Sequence, residues 1–196
     1  MQIKSELRRQ VKSERKTVKD KQMKDMAIAD TLQNFRYYND AQTILCYVSL
    51  TDEIATDSII NQALIDNKRV AVPYCTDTSG HMDFYIIKSL NDLNIGSFNV
   101  REPDIIKCQR LEDYNNSVII VPAICFDERG FRLGYGKGYY DRFLQNYPFI
   151  SIGLCYNSLI KKKIPADEFD QSVDYIISES NIFDCTNGGE NGKFRF

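Results

Sequence analysis

Three glycines at alternate positions, Gly134, Gly136 and Gly138, share one short run with Arg132, Lys137 and Asp141. Glycines at this density forgo side-chain packing and carry a backbone-entropy cost, which close approach of the backbone to a bound group would explain. Phosphate suits such a loop, because its charge matches clustered N–H donors and the start of a helix. Arg132 can neutralise phosphate oxygens bidentately and Lys137 as a point charge. Asp141, three residues after the last glycine, can cap the following helix or hold Mg²⁺. Tyr139 and Tyr140 suit either a core or the wall of an aromatic ligand's pocket. A glycine-rich turn needed only to pack helix on strand is the competing reading.

Two familiar phosphate templates do not fit. A P-loop needs Ser or Thr after its Gly-Lys, and Gly136–Lys137 is followed by Gly138; the position of its first glycine is Phe131. A dinucleotide fingerprint needs a third glycine where Tyr139 stands, and it belongs at the first strand of a chain.

The elements that must hold this loop are legible on either side of it. Val118–Val121, stopped by Pro122, reads as a buried strand, and Tyr139–Leu144 as a helix. Earlier, Ile3, Leu7 and Val11 recur at helical spacing and predict a buried stripe, with Lys4, Arg8 and Lys12 along its edge. A second helix is predicted over 20–35 with Met23, Met26, Ala27 and Leu32 inward. Strands are predicted over 43–49, 69–73, 82–87, 149–154 and 173–177, and a helix over 56–67 with Thr56 as its N-cap and Ile59, Ile60, Ala63 and Leu64 inward. Residues 76–80 read as a turn, and residues 88–116 have the least periodicity. Alternating strands and helices imply an α/β fold, a mostly parallel sheet flanked by helices on both faces. One domain over residues 1–186 is expected, with 187–196, rich in glycine, as a loose tail.

Composition narrows the function classes. The chain has 196 residues and a formal net charge of −2, which argues against a nucleic-acid binder driven by bulk electrostatics. Residues 1–24 carry nine Lys or Arg against three Asp or Glu, but Glu6, Glu14 and Asp20 weaken a membrane-surface or transit-peptide reading. No apolar run approaches the roughly 20 residues of a membrane span, and no signal peptide is visible, so the cytosol is expected. Six cysteines without a CxxC pair read as reduced, mostly buried thiols. The single histidine, His81, excludes a His-rich metal site and makes any His-based triad depend on it alone; it lies in a turn-like stretch and reads as a loop residue rather than a catalyst.

RLGYGKGYYDRFL (132–144), preceded by VPAICFDERG, closely resembles the signature of the 5-formyltetrahydrofolate cyclo-ligase (methenyltetrahydrofolate synthetase) family. The likeness extends to Lys4 and Arg8, to SLTDEIAT (49–56), to Pro73, to HMDF (81–84) and to IPADEFDQSVD (164–174). It implies ATP- and Mg²⁺-dependent closure of 5-formyltetrahydrofolate to 5,10-methenyltetrahydrofolate, with ADP and phosphate released. It also implies a Rossmann-like three-layer fold of the sugar-phosphate isomerase and CoA transferase type, and small-molecule partners only, with no nucleic acid or membrane; a monomer is expected. In the chemistry so implied, the formyl oxygen takes the γ-phosphoryl group and N10 attacks the activated carbon. The protein then needs chiefly to align and neutralise.

By the same resemblance, Lys4 and Arg8 contact ATP, as do Arg132, Leu133, Gly134, Tyr135, Gly136, Lys137, Gly138, Tyr139 and Tyr140. Tyr135, Gly136, Lys137, Gly138 and Tyr139 also border the folate, together with Val48 and Glu53. Lys137, with Arg132, is the candidate for stabilising charge on the transferred group, and Asp141 and Asp170 are the candidate metal carboxylates. Tyr135 replaces a residue that varies in the family between basic and aromatic. Two other readings stand beside this one: a sugar-phosphate isomerase or CoA transferase-like enzyme of the same fold, and a non-catalytic folate- or nucleotide-binding module.

Overall fold

Continuous runs of β-branched and aliphatic residues build strands buried on both faces, and such strands form the centre of the sheet here. The computed structural model describes residues 2–77, 80–96 and 100–186. Its first half runs α1 (Gln2–Lys16), α2 (Lys21–Gln33), α3 (Arg36–Asp40), β1 (Thr43–Cys46), α4 (Asp57–Ile65), β2 (Arg69–Cys75) and β3 (Met82–Ile87). Short strands β4 (Leu93–Ile95), β5 (Arg101–Pro103) and β6 (Gln109–Arg110) fill the segment of low periodicity. Then come β7 (Ser117–Val121), β8 (Cys125–Phe126), β9 (Arg132–Leu133), α5 (Tyr139–Asn146), β10 (Ile150–Leu154), β11 (Tyr175–Ile177) and β12 (Ile182–Asp184).

The main sheet has the order β12-β11-β10-β7-β1-β2-β3-β6. Strands β11 to β2 are mutually parallel, and β12, β3 and β6 add antiparallel edges. Ile44, Leu45, Val70, Val72, Ile119, Ile120, Ile152 and Ile176 are all fully buried along this centre. From β1 the chain winds one way to β2, and from β7 the other way to β10 and β11. Right-handed crossovers therefore place α4 and α5 on opposite faces. The direction reverses between β1 and β7, and ligands of open α/β sheets bind at the carboxyl ends of strands flanking such a reversal.

Several predicted faces are corrected. Ile3 is exposed, and α1 instead turns Leu7, Val11 and the basic Lys4, Arg8 and Arg15 toward the protein. In α2, Met23 and Met26 are exposed while Asp25, Ile28, Ala29 and Leu32 are buried. Asp25 holds its inward position because Tyr156 Oη (2.5 Å), Lys21 Nζ (2.6 Å) and the Ala55 amide (3.3 Å) all donate to it. Thr56 precedes α4 but does not cap it by side chain; its hydroxyl donates to Tyr47 O and accepts from the Ser49 amide. All six cysteines are free thiols, and Cys75 alone of them is exposed. Among the described residues no helix is long and apolar enough to cross a membrane. The tail predicted over 187–196 lies outside the described residues.

Candidate functional site

Leu133, buried at the end of β9, delivers the chain into the glycine loop, and Gly138 stands at the N-cap of α5. Gly136 and Gly138 have φ of 96° and 73°. An L side chain in that left-handed region costs roughly 1–2 kcal/mol, so the bend itself requires glycine at both positions. Arg8 Nε donates to Gly134 O (2.8 Å), and Arg142 Nη1 donates to Lys137 O (2.9 Å). Two arginines thus hold carbonyls of the loop. Among the described residues no amide from Gly134 to Gly138 donates a hydrogen bond. Clustered amides without partners beside a helix start are the donor set that suits an anion.

The loop forms one wall of a cleft of about 890 Å³. Lys4, Arg8, the whole run from Arg132 to Asp141, and Asp170 all line it. Its size falls within the range of small-molecule sites, roughly 300–1,000 Å³. Lys137 projects from the loop, exposed, with no side-chain partner among the described residues. Lys4 reaches across from α1 to Asp170 (2.5 Å) and Asp167 (2.9 Å). Burial pulls the Lys4 ammonium down, but the hydrogen bonds to Asp170 and Asp167 outweigh it and hold its pKa above the usual value. Arg132 sits differently. Its side chain is 4% exposed, with Nη1 donating to Gln171 O (2.7 Å) and Nη2 lying 2.7 Å from Asp141 Oδ1. That Asp141 contact is an ion pair outside hydrogen-bonding angles, since Nη2 has no hydrogen-bond partner. Burial lowers the Arg132 pKa against the attraction of Asp141 and Asp170.

Asp141 belongs to the first turn of α5, where Oδ1 accepts the Gln171 amide (3.0 Å). Asp170 Oδ2 accepts Lys4 and the Asp167 amide (2.9 Å). The other oxygen of each carboxylate accepts no hydrogen bond from the described residues. Two hard oxygens facing one cleft fit Mg²⁺, which binds through one or two carboxylates plus substrate phosphates and waters. Among the described residues no three His, Cys, Asp or Glu side chains gather into a complete cation cage.

Tyr135 connects the loop to a buried polar cluster. Its hydroxyl donates to Glu53 Oε1 (2.7 Å) and accepts from Arg15 Nη2 (3.0 Å), while Lys12 Nζ lies 4.7 Å from its ring centroid. Burial, followed by the Glu53 charge, pushes the phenol pKa up, so the hydroxyl stays protonated. Arg15 also donates to Asp52 (2.6 Å) and Ala123 O (3.1 Å). Glu53 is 6% exposed and also accepts the Leu50 amide (2.9 Å). Glu53 and Val48 are buried and lie outside the cleft lining, Glu53 directly behind Tyr135. Tyr139 donates its hydroxyl to Asp77 O (2.8 Å), and burial raises its pKa. The Tyr140 hydroxyl is buried without a partner among the described residues, and burial raises its pKa further.

Residues that sequence reasoning passed over complete the frame. Arg15 falls on the same α1 face as Lys4 and Arg8, so extending the basic series three residues past Lys12 would have found it. Asp127, with 0% exposure, accepts the amides of Arg129, Phe131 and Ile164 and the Arg129 guanidinium. It thereby fixes the β8–β9 turn and the start of the segment that carries Asp167 and Asp170. Its bond to Ile164 has no local sequence signal, because that partner is distant in the chain.

This geometry sits on a chain whose residues 1–179 match the model of the 5-formyltetrahydrofolate cyclo-ligase family. A probable 5-formyltetrahydrofolate cyclo-ligase of Caenorhabditis elegans is 30% identical, over 93% of this chain and 97% of its own. The 5-formyltetrahydrofolate cyclo-ligase of Escherichia coli K12 is 29% identical over 74% of this chain and 81% of its own. The solution structure of an Aquifex aeolicus 5,10-methenyltetrahydrofolate synthetase superposes with a TM-score of 0.82 at 25% identity, covering 95% of each chain. A Mycoplasma pneumoniae 5,10-methenyltetrahydrofolate synthetase shares the fold, with a TM-score of 0.71. A match that spans the fold and the whole cleft makes this chain a member of the 5-formyltetrahydrofolate cyclo-ligase family.

Proposed function

We propose that this protein closes 5-formyltetrahydrofolate to 5,10-methenyltetrahydrofolate at the expense of ATP, with the triphosphate on the glycine loop. The observation that carries this reading is the row of amides from Gly134 to Gly138 that donate to no described residue, with Arg8 at its start and Lys137 within it. The formyl oxygen attacks the γ-phosphorus and ADP leaves. N10 then attacks the phosphorylated formyl carbon, the C–O bond breaks, and phosphate departs carrying the proton that N10 loses. Substrate supplies both reacting atoms, so a cleft without an activated side-chain nucleophile suffices. Phosphoryl transfer asks the protein for alignment and charge neutralisation.

Lys137 is the cation free to follow charge onto the γ-phosphoryl group. Arg132, committed to Asp141 and Gln171 O, acts beneath the loop by holding Asp141 in place. Asp141 and Asp170 would hold Mg²⁺, which when bound offsets the charge of the β- and γ-phosphates. Glu53 faces the folate once the Tyr135 hydroxyl gives way to a ring N–H or amino donor. The test is a spectrophotometric assay for the methenyl product, with ATP and Mg²⁺ omitted in turn. Product formed only with both supports the reading; product formed without ATP, or none with both present, rejects it.

A further inference from the structure

We propose that Phe169 is the platform on which the base of the bound nucleotide stacks. The inference rests on the triphosphate lying in the glycine loop and extends that reading to another part of the same cleft lining. Phe169 is 67% exposed, and among the exposed large apolar side chains of the described residues only Phe169 and Tyr135 line the cleft. Tyr135 is tied through its hydroxyl to Glu53 and Arg15. Phe169 has no polar tip, so its ring offers a π-face and nothing else.

The ring is presented by a fixed frame. Ile164, just upstream, donates its amide to Asp127 (2.8 Å), and Val173, just downstream, donates to Gly130 O (2.9 Å). Between them, the Phe169 amide donates to Asp167 Oδ1 (3.2 Å), and Phe169 O accepts Gln145 Nε2 (3.5 Å). Gln145 lies seven residues along α5 from Gly138. At 1.5 Å per residue that is about 10 Å, comparable to the reach from a nucleotide's phosphates across its ribose to the base. Asp141 lies between the two on the same helix, and Asp170 adjoins Phe169 in sequence. Loop, candidate metal carboxylates and ring therefore follow one another in the order phosphate, cation, base.

Stacking on a bare phenyl ring tolerates any base, since every base has a π-face. Phe169→Ala should therefore weaken ATP and GTP alike, by roughly tenfold in Kd, and leave tripolyphosphate unchanged. Phe169→Trp should restore both nucleotides. Calorimetric titration of the wild-type and variant proteins with ATP, GTP, tripolyphosphate and 5-formyltetrahydrofolate, all with Mg²⁺, decides the matter. Wild-type affinity for ATP in Phe169→Ala would overturn the stacking role. So would an equal loss for tripolyphosphate, which would mean the loop had shifted, or a loss confined to the folate. A wild-type protein that binds neither ATP nor tripolyphosphate would instead overturn the proposed function, and this inference with it.

Discussion

Gly134 separates what the fold requires from what a ligand requires. Unlike Gly136 and Gly138, it lies outside the left-handed region, and a Cβ built there meets nothing within 4 Å. Nothing in the ligand-free protein demands glycine at that position. Gly134→Ala should therefore keep or slightly raise stability, by about 0.4–1 kcal/mol through the unfolded chain. For a chain of this size that is a gain of roughly 1–4 °C in Tm. Gly136→Ala must hold alanine at φ 96°, and Gly138→Ala adds a contact of 2.9 Å with Arg142 Nη1. Each should lose about 1–2 kcal/mol, or roughly 2–8 °C. Nucleotide binding should not follow stability. On the proposed reading, a methyl group on Gly134 would meet the approaching phosphate, and losing one charge-assisted hydrogen bond costs about 1.5–3 kcal/mol. That corresponds to a roughly ten- to hundredfold rise in the Kd for ATP. Thermal melts and ATP titrations on the three variants provide the assay. A Gly134→Ala protein of normal Tm that binds ATP as tightly as wild type would refute the reasoning, because the glycine would then serve no ligand.

Four further outcomes can be checked. Lys137→Ala should cut turnover by roughly 10²–10³-fold while folate binding, read by titration, stays near normal; undiminished turnover removes Lys137 from the chemistry. Asp170→Asn should shift the Mg²⁺ titration of activity to higher concentration, and a superimposable curve would count against the metal assignment. Glu53→Gln should weaken folate binding without changing ATP affinity, whereas the reverse pattern would mean the folate pocket lies elsewhere. Asp127→Ala strands three backbone amides and takes the carboxylate partner from the Arg129 guanidinium, so urea unfolding should show a loss of about 3–5 kcal/mol; an unchanged midpoint would show that Asp127 anchors nothing.

The glycine loop could be read from sequence because its chemistry is local. Glycines, cations and a carboxylate within one short run constrain backbone and charge without reference to distant partners. The parallel centre was legible for a similar reason, since strands buried on both faces must be apolar throughout. The face of α1 was not. Helical periodicity assumes that apolar residues face a core, yet this helix turns Lys4, Arg8 and Arg15 toward the cleft and the polar cluster behind it, and leaves Ile3 in solvent. In α2 the buried Asp25 depends on Tyr156, whose position near it no local pattern announces. Asp170 and Phe169 were equally silent: one acid among several and one aromatic near a Pro gain meaning only when the segment folds against Lys4 and Gln145. The antiparallel β12 was also unforeseen, being a short strand with partly exposed residues at the sheet edge.

The most direct measurement is a crystal structure with Mg²⁺ and a non-hydrolysable ATP analogue. The β- and γ-phosphate oxygens should lie about 2.7–3.1 Å from main-chain amides between Gly134 and Gly138, with Lys137 Nζ on the γ-phosphate and Asp141 and Asp170 facing the metal. A nucleotide bound elsewhere, with those amides still turned to water, would contradict the assignment of this loop as the phosphate donor's seat.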